Sequence, residues 1–280
     1  MIPFSPFVAT LRSLFRYKLI LTSHGSDVRI LSKTLNSIIW KKIIEFTISN
    51  SSYYSVVSRE LKETVLGNYN VGNRNKVKVI SMGIPFDKLN QVTPSFSKGN
   101  FTAVFVGRLS EIKGTRFLLY AIHELKQKGE LVKCKIIGDG NKRKELEKLS
   151  KKLNIVELVE FTGFISHNKL SRELNQCSVL VGPSITTQDG LKEGFGLVFI
   201  EAMAAGIPVI ASDSGGIPDI VKHNETGLLV EEKDYKKIAE YVITIRDNKE
   251  LRERLIRNGL KLSESYSWEN IAKKYLKLYE

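Results

Sequence analysis

Short apolar runs alternate with stretches of helical spacing along almost the whole chain. Residues 17–22 read as a buried strand that ends in the polar loop 23–27; helical periodicity follows from about Leu35 to Phe46, and strand character returns at 54–57. A helix is predicted over 58–66 and a short strand over 77–80, after which the polar, turn-rich segment 93–100 reads as a linker. A second series then predicts strands near 101–106, 132–137, 157–161, 178–182, 207–211 and 227–230. Helices are predicted between them near 114–128, 141–153, 167–176, 197–205 and 234–246, with two more near 249–263 and 267–279. Regular alternation of this kind specifies parallel sheets with helical crossovers, a doubly wound α/β pattern whose ligands collect at the carboxyl ends of the strands.

The first residues carry a different pattern. Phe4, Phe7, Val8, Leu11, Leu14 and Phe15 form an apolar helical face interrupted by Arg12 and Arg16. Two readings are open: a helix packed on the sheet of the first domain, or a basic amphipathic helix touching lipid. No apolar run approaches the ~18–20 residues of a membrane span, and no small-residue cleavage site of a signal peptide is visible.

Composition refines this picture. The 280 residues, 42% of them hydrophobic, suffice for two domains with real cores. Cys134 and Cys177 lie in apolar runs without metal-ligand spacing, so they are expected to be buried thiols of a reducing compartment. The net charge of +13 is uneven: residues 1–90 hold 13 Lys and Arg against 5 Asp and Glu. Nucleic acid, an anionic membrane or phosphate-bearing substrates would suit such an excess. No zinc finger, RNA-binding aromatic signature or long basic run supports nucleic acid.

The richest chemistry lies in residues 192–211, where Glu193 sits in a Gly-rich loop and Glu201 on the following helix, with seven residues between them. A loop of this kind at a helix start offers free backbone N–H groups and a positive dipole end to a phosphate or a hydroxyl-rich ligand. Glu-x7-Glu followed by Ala-Met-Ala-x-Gly-x-Pro-Val-Ile-Ala resembles the nucleotide-sugar site of GT4-type retaining glycosyltransferases. Smaller family-like pieces occur in order: His24-Gly25, Met82-Gly83-Ile84, Phe105-Val106-Gly107-Arg108-Leu109, Lys113-Gly114, Ile137-Gly138-Asp139-Gly140, Phe161-Thr162-Gly163 and Gly215-Gly216-Ile217-Pro218-Asp219.

The resemblance implies a GT-B fold of two Rossmann-like domains facing a cleft: an acceptor-side domain over 1–95, a donor-side domain over 96–265, and a terminal helix, 266–280, crossing back. It implies a donor site in which Arg108, Lys113 and the Leu197 and Val198 amides hold the diphosphate. Glu193, Gly194, Phe195 and Gly196 would hold the sugar, Glu201 the ribose, and Gly163, Phe164 and Ile165 the base. His24 would lie near the anomeric centre, so His24 and Glu193 are the candidate catalytic residues. His123, His167 and His223 lack such context and are expected at the surface.

The implied reaction moves a hexose from a nucleotide-diphosphate sugar to a glycan or lipid-linked acceptor in envelope polysaccharide or glycolipid synthesis, with retention and without a metal or other cofactor. The absence of an Asp-x-Asp element fits that expectation. The setting would be cytoplasmic, at the inner face of an anionic membrane. Met1 lies only 23 residues before His24, so the first domain is expected to lack its leading strands and Gly-rich loop. That leaves open a catalytically impaired nucleotide-sugar binder. A GT-B epimerase is a third reading, over which the Glu-x7-Glu layout with Gly-Arg and Lys-Gly favours transfer.

Overall fold

The computed structural model describes residues 5–15, 17–25, 37–91, 94, 96, 101–174 and 176–280. Phe4, Arg16, the loop residues Ser26 and Asp27, the predicted helix start at Leu35, the side chain of His167 and most of the segment 93–100 lie outside them. The chain divides into two compact units, Met1–Gly83 with Trp268–Glu280, and Ile84–Ser267.

The first unit contains α1 (Ser5–Phe15), β1 (Ile20–Ser23), α2 (Ser37–Ser49), β2 (Tyr53–Val56), α3 (Arg59–Asn68), β3 (Val77–Val79) and the C-terminal helix Trp268–Tyr279. Its strands pair in parallel in the order β1-β2-β3. Helix α3 begins where predicted because the Ser58 hydroxyl accepts from the Leu61 N–H at 3.2 Å, the usual N-cap bond. The hydroxyl of Tyr275, on the C-terminal helix, lies 3.2 and 3.3 Å from those of Thr22 and Ser55 on adjacent strands.

Helix α1, read from the sequence as a candidate for packing on the sheet, packs chiefly on α2. Arg12 ties it there, donating to the carbonyls of Asn50 at 2.8 Å and Tyr17 at 3.2 Å. Ala9 is buried, while Phe7 and Phe15 stay 64% and 71% exposed.

The second unit runs from α4 (Phe86–Leu89) through β4 (Thr102–Val106), α5 (Thr115–Gln127), β5 (Lys133–Ile137), α6 (Arg143–Lys152), β6 (Val159–Gly163) and α7 (His167–Leu174). It continues with β7 (Val179–Gly182), α8 (Leu197–Ala204), β8 (Val209–Ser212), β9 (Leu228–Val230), α9 (Tyr235–Asp247) and α10 (Lys249–Glu264). The six strands are all parallel in the order β6-β5-β4-β7-β8-β9, the dinucleotide-fold order with its reversal between β4 and β7. Strand β4 is buried along Thr102–Phe105 because helices cover both faces, which is why it reads as a continuous apolar run. On α5, Leu118, Leu119, Ala121, Ile122 and Leu125 form the buried stripe that its helical spacing predicts.

The division between units falls at Gly83 and Ile84, twelve residues earlier than the sequence boundary at 95. The Ile84 N–H donates to the Tyr266 carbonyl at 2.9 Å, and the short helix α4, absent from the sequence reading, packs on α8. Further on, Phe96 lies under the Arg252 guanidinium at 5.0 Å. Both cysteines are buried and free. Burial pushes the Cys177 thiol up to about 12 and that of Cys134 higher still, so neither supplies a thiolate near neutral pH.

Candidate functional site

The reversal point of the second unit is where the conspicuous sequence motifs converge. After β4 the chain turns through Gly107, Arg108 and Leu109. Leu109 is fully buried and its N–H donates to the Asp139 carbonyl at 2.9 Å, so the exposed Arg108 beside it rides on a fixed backbone. A tight turn, Glu111–Lys113, leads to Gly114 at φ +58°, where a Cβ would stand 1.9 Å from the Pro183 carbonyl oxygen. Only glycine permits that approach of the β4 and β7 loops. The Ile185 N–H, donating to the Ile112 carbonyl at 2.7 Å, holds the two loops together.

This clasp sets Lys113 against Glu193. Lys113 Nζ lies 2.5 Å from Glu193 Oε2, with the two side chains 24% and 14% exposed. The Glu193 carbonyl accepts from the Gly216 N–H at 3.0 Å, and a Cβ on Gly215 would come within 2.2 Å of that oxygen. The Gly215-Gly216 pair in the sequence is therefore a brace for the carboxylate loop. A second brace comes from Glu232, whose carboxylate accepts from the Thr186 N–H at 2.8 Å and its hydroxyl at 2.6 Å. Burial works against ionisation of Glu232, yet the nearby Ser214 hydroxyl, the Thr186 hydrogen bonds and the Lys192 charge hold its carboxyl below the ordinary value.

Helix α8 starts immediately after Gly194, Phe195 and Gly196, and no side chain caps it. The amides of its first residues, Leu197 and Val198, thus belong to the turn that lacks intrahelical acceptors and attracts anions. Phe195 is 4% exposed and its ring packs toward Tyr266 at 6.1 Å, so this residue can serve a ligand only through its backbone. Glu201 is buried on α8 and lines a cavity of about 410 Å³. Arg108, Phe164 and Ile165 line the same cavity, with Phe164 83% exposed at its rim. Gly107 is also in its wall, and the point a Cβ would occupy there is 3.8 Å from Lys113 Cε.

The structure therefore gathers Arg108, Phe164, Ile165 and Glu201 around one cavity and pairs Lys113 with Glu193 beside it. Gly163, at φ +74°, ends β6 without entering the cavity lining. His24 belongs to the first unit, where it stands exposed just after β1. His223 is exposed, whereas His123 is half-buried with its Nδ1 2.9 Å from the Leu153 carbonyl, so it is not the surface residue expected. Ile137, Asp139 and Leu170 also line the cavity. The Ile137-Gly138-Asp139-Gly140 piece marked that strand end without giving it a role; Leu170 had no signal beyond helical spacing. Among the described residues no cluster of three or more His, Cys, Asp or Glu could hold a metal ion, and no helix is long and apolar enough to cross a membrane.

Residues 87–262 match the family model described as "Glycosyl transferases group 1". The chain is 32% identical over 262 residues to an uncharacterized glycosyltransferase of Methanocaldococcus jannaschii, MJ1178, an alignment covering 93% of this chain and 68% of that protein. It is 32% identical over 178 residues to a GDP-mannose-dependent alpha-(1-6)-phosphatidylinositol monomannoside mannosyltransferase of Mycobacterium tuberculosis, covering 62% of this chain and 46% of that one. The crystal structure of Anabaena Alr3699/HepE in complex with UDP superposes with a TM-score of 0.83 at 22% identity, over 99% of this chain and 76% of that one. The fold is that of the GT-B glycosyltransferases. The chain belongs to the group 1 glycosyl transferases and is a transferase by family.

Proposed function

We propose that this protein is a GT4-type transferase that moves a hexose, with retention of anomeric configuration, from a nucleotide-diphosphate sugar to a glycan or lipid-linked acceptor of the cell envelope. The observation that carries this reading is the assembly on one unit of a carboxylate-bearing cavity, two cations and an uncapped helix start. Glu201 accepts from the ribose hydroxyls inside the cavity, with the base against Phe164 and Ile165. Arg108 and the Leu197 and Val198 amides receive the diphosphate, and Lys113 turns from Glu193 to a phosphate oxygen. Glu193 is thereby released to the sugar hydroxyls, beside the backbone of Gly194 to Gly196.

Negative charge that builds on the leaving diphosphate is met by these cations and amides, so no metal is required. The departing phosphate takes the acceptor proton as the acceptor attacks from the face it leaves, and His24 is kept as a candidate catalytic residue. The relative that acts on a phosphatidylinositol monomannoside supports a lipid-linked acceptor, and the bound UDP of the HepE structure supports the donor class. The working place is the cytoplasmic face of an anionic membrane, toward which the basic first unit is drawn.

A panel of UDP- and GDP-hexoses incubated with the protein in the presence of EDTA tests the whole reading. Slow nucleotide release, with the donor's own anomer appearing first by proton NMR, is the expected result. Initial appearance of the opposite anomer would overturn retention. Nucleotide binding without any release would leave the impaired binder as the better account.

A further inference from the structure

Among the described residues two charged side chains are buried, Glu201 and Lys135. The first belongs to the nucleotide cavity; the second has no place in the reaction. Lys135 lies in the middle of β5 on a stretch otherwise filled by Cys134, Ile136 and Ile137, where an aliphatic residue would cost nothing to desolvate. Its ammonium instead binds Glu173 Oε2 at 2.7 Å and Gln176 Oε1 at 3.1 Å, with Glu160 Oε2 on β6 at 3.5 Å. Burial works against the ammonium, and the Glu173 hydrogen bond with the charges of Glu160 and Glu173 hold its pKa above the ordinary lysine value.

The partners show what the charge holds. Glu173 lies near the end of α7 and Gln176 just beyond it, so Lys135 fastens the C-terminal end of that helix to the sheet. On both elements the next residue along the same face is in the cavity wall. Ile137 follows Lys135 by two positions on β5, and Leu170 precedes Glu173 by three on α7. The loop that carries Phe164 and Ile165 leads directly into α7.

We propose that Lys135 is a positioning residue for the nucleoside half of the donor: it sets α7 and the loop before it against the cavity without touching the ligand. This rests on the nucleotide reading of the cavity given above. The diphosphate half, on Arg108, Lys113 and the start of α8, is independent of this clamp, which separates the two contributions experimentally.

Calorimetry of the full chain with UDP, GDP and inorganic pyrophosphate tests it. For whichever nucleotide the unaltered protein binds more tightly, Lys135→Met should weaken binding about tenfold or more while pyrophosphate affinity changes less than about threefold. Lys135→Arg should restore nucleotide binding to within about threefold, since it keeps the charge. Unchanged nucleotide affinity in Lys135→Met, or parallel loss of nucleotide and pyrophosphate, overturns the positioning role. If Lys135→Met does not fold, Glu173→Gln, altered at a partly exposed carboxylate, decides by the same comparison, with selective loss expected. Failure of the unaltered protein to bind either nucleotide would instead overturn the reading of the cavity itself.

Discussion

Lys113 and Glu193 are eighty residues apart in sequence and 2.5 Å apart in the fold. Each was assigned to a different part of the donor, and their pairing makes the two roles exchange partners. With no donor present, each neutralises the other in a half-buried setting where an unpaired charge is costly. In the proposed reading, a diphosphate that takes Lys113 frees Glu193 for sugar hydroxyls, so the carboxylate becomes available as the leaving group is gripped. The two residues should therefore respond in opposite ways to substitution. Lys113→Ala should weaken nucleotide-diphosphate binding by roughly 10- to 100-fold, the worth of a charged hydrogen bond of about 1.5–3 kcal/mol. Glu193→Ala should abolish transfer and Glu193→Gln weaken it, yet both should retain or tighten binding of the free diphosphate, because Lys113 loses its competitor. Calorimetry with the nucleotide diphosphate beside a transfer assay separates these outcomes; loss of diphosphate binding in Glu193→Gln would refute the exchange.

At the scale of elements, the loop between β7 and α8 matters most, because it delivers Glu193. It is held from outside by Glu232, just beyond β9, through Thr186. The folded carboxyl of Glu232 is held below its ordinary value of 4.5, so its stabilisation is fully present above that pH and is lost as pH falls through the folded value. Glu232→Gln should cost about 1 kcal/mol near neutrality, allowing for partial exposure, and the difference from the unaltered protein should shrink toward pH 3. Thermal unfolding of both proteins across pH 3–7 measures it; a gap that widens in acid would contradict the assignment. Such ties show where sequence reading stops. The strands and helices of the second unit were legible because parallel strands buried on both faces and amphipathic helices leave strong periodic signals. Arg108, Glu201 and the Phe164 loop, named through the family resemblance, line one cavity, while their roles there remain part of the proposal. Helix α4 was not legible, being a single turn with no room for periodicity. Nor was the Thr186–Glu232 tie or the Lys135 clamp, since a carboxylate after a strand and a lysine within one look like ordinary surface residues until the sheet order brings their partners close.

For the whole molecule the uneven charge bears on the proposed membrane setting. The excess of Lys and Arg in residues 1–90 belongs to the first unit, which also leaves Phe7, Phe15, Ile38, Ile39 and Phe46 exposed on α1 and α2. Lys41 and Lys42, exposed on α2, add cations to this apolar surface. Neither component alone holds a protein to a bilayer: a few exposed aromatics insert weakly, and each Lys or Arg near an anionic leaflet contributes about 1 kcal/mol that salt screens. Together they should give binding that needs both negative lipid and apolar side chains. The full chain should sediment with phosphatidylglycerol vesicles in about 0.05 M salt and remain in solution with phosphatidylcholine. Raising salt to about 0.5 M, where the screening length falls to a few ångströms, should release most of it. The double substitution Phe7→Ser and Ile38→Ser, at positions 64% and 73% exposed, should weaken sedimentation at low salt without lowering the unfolding temperature. Equal sedimentation with neutral lipid would remove the charge argument, and an unaffected double variant would assign the contact to charge alone. Absence of sedimentation in every mixture would leave a water-soluble acceptor as the substrate to pursue.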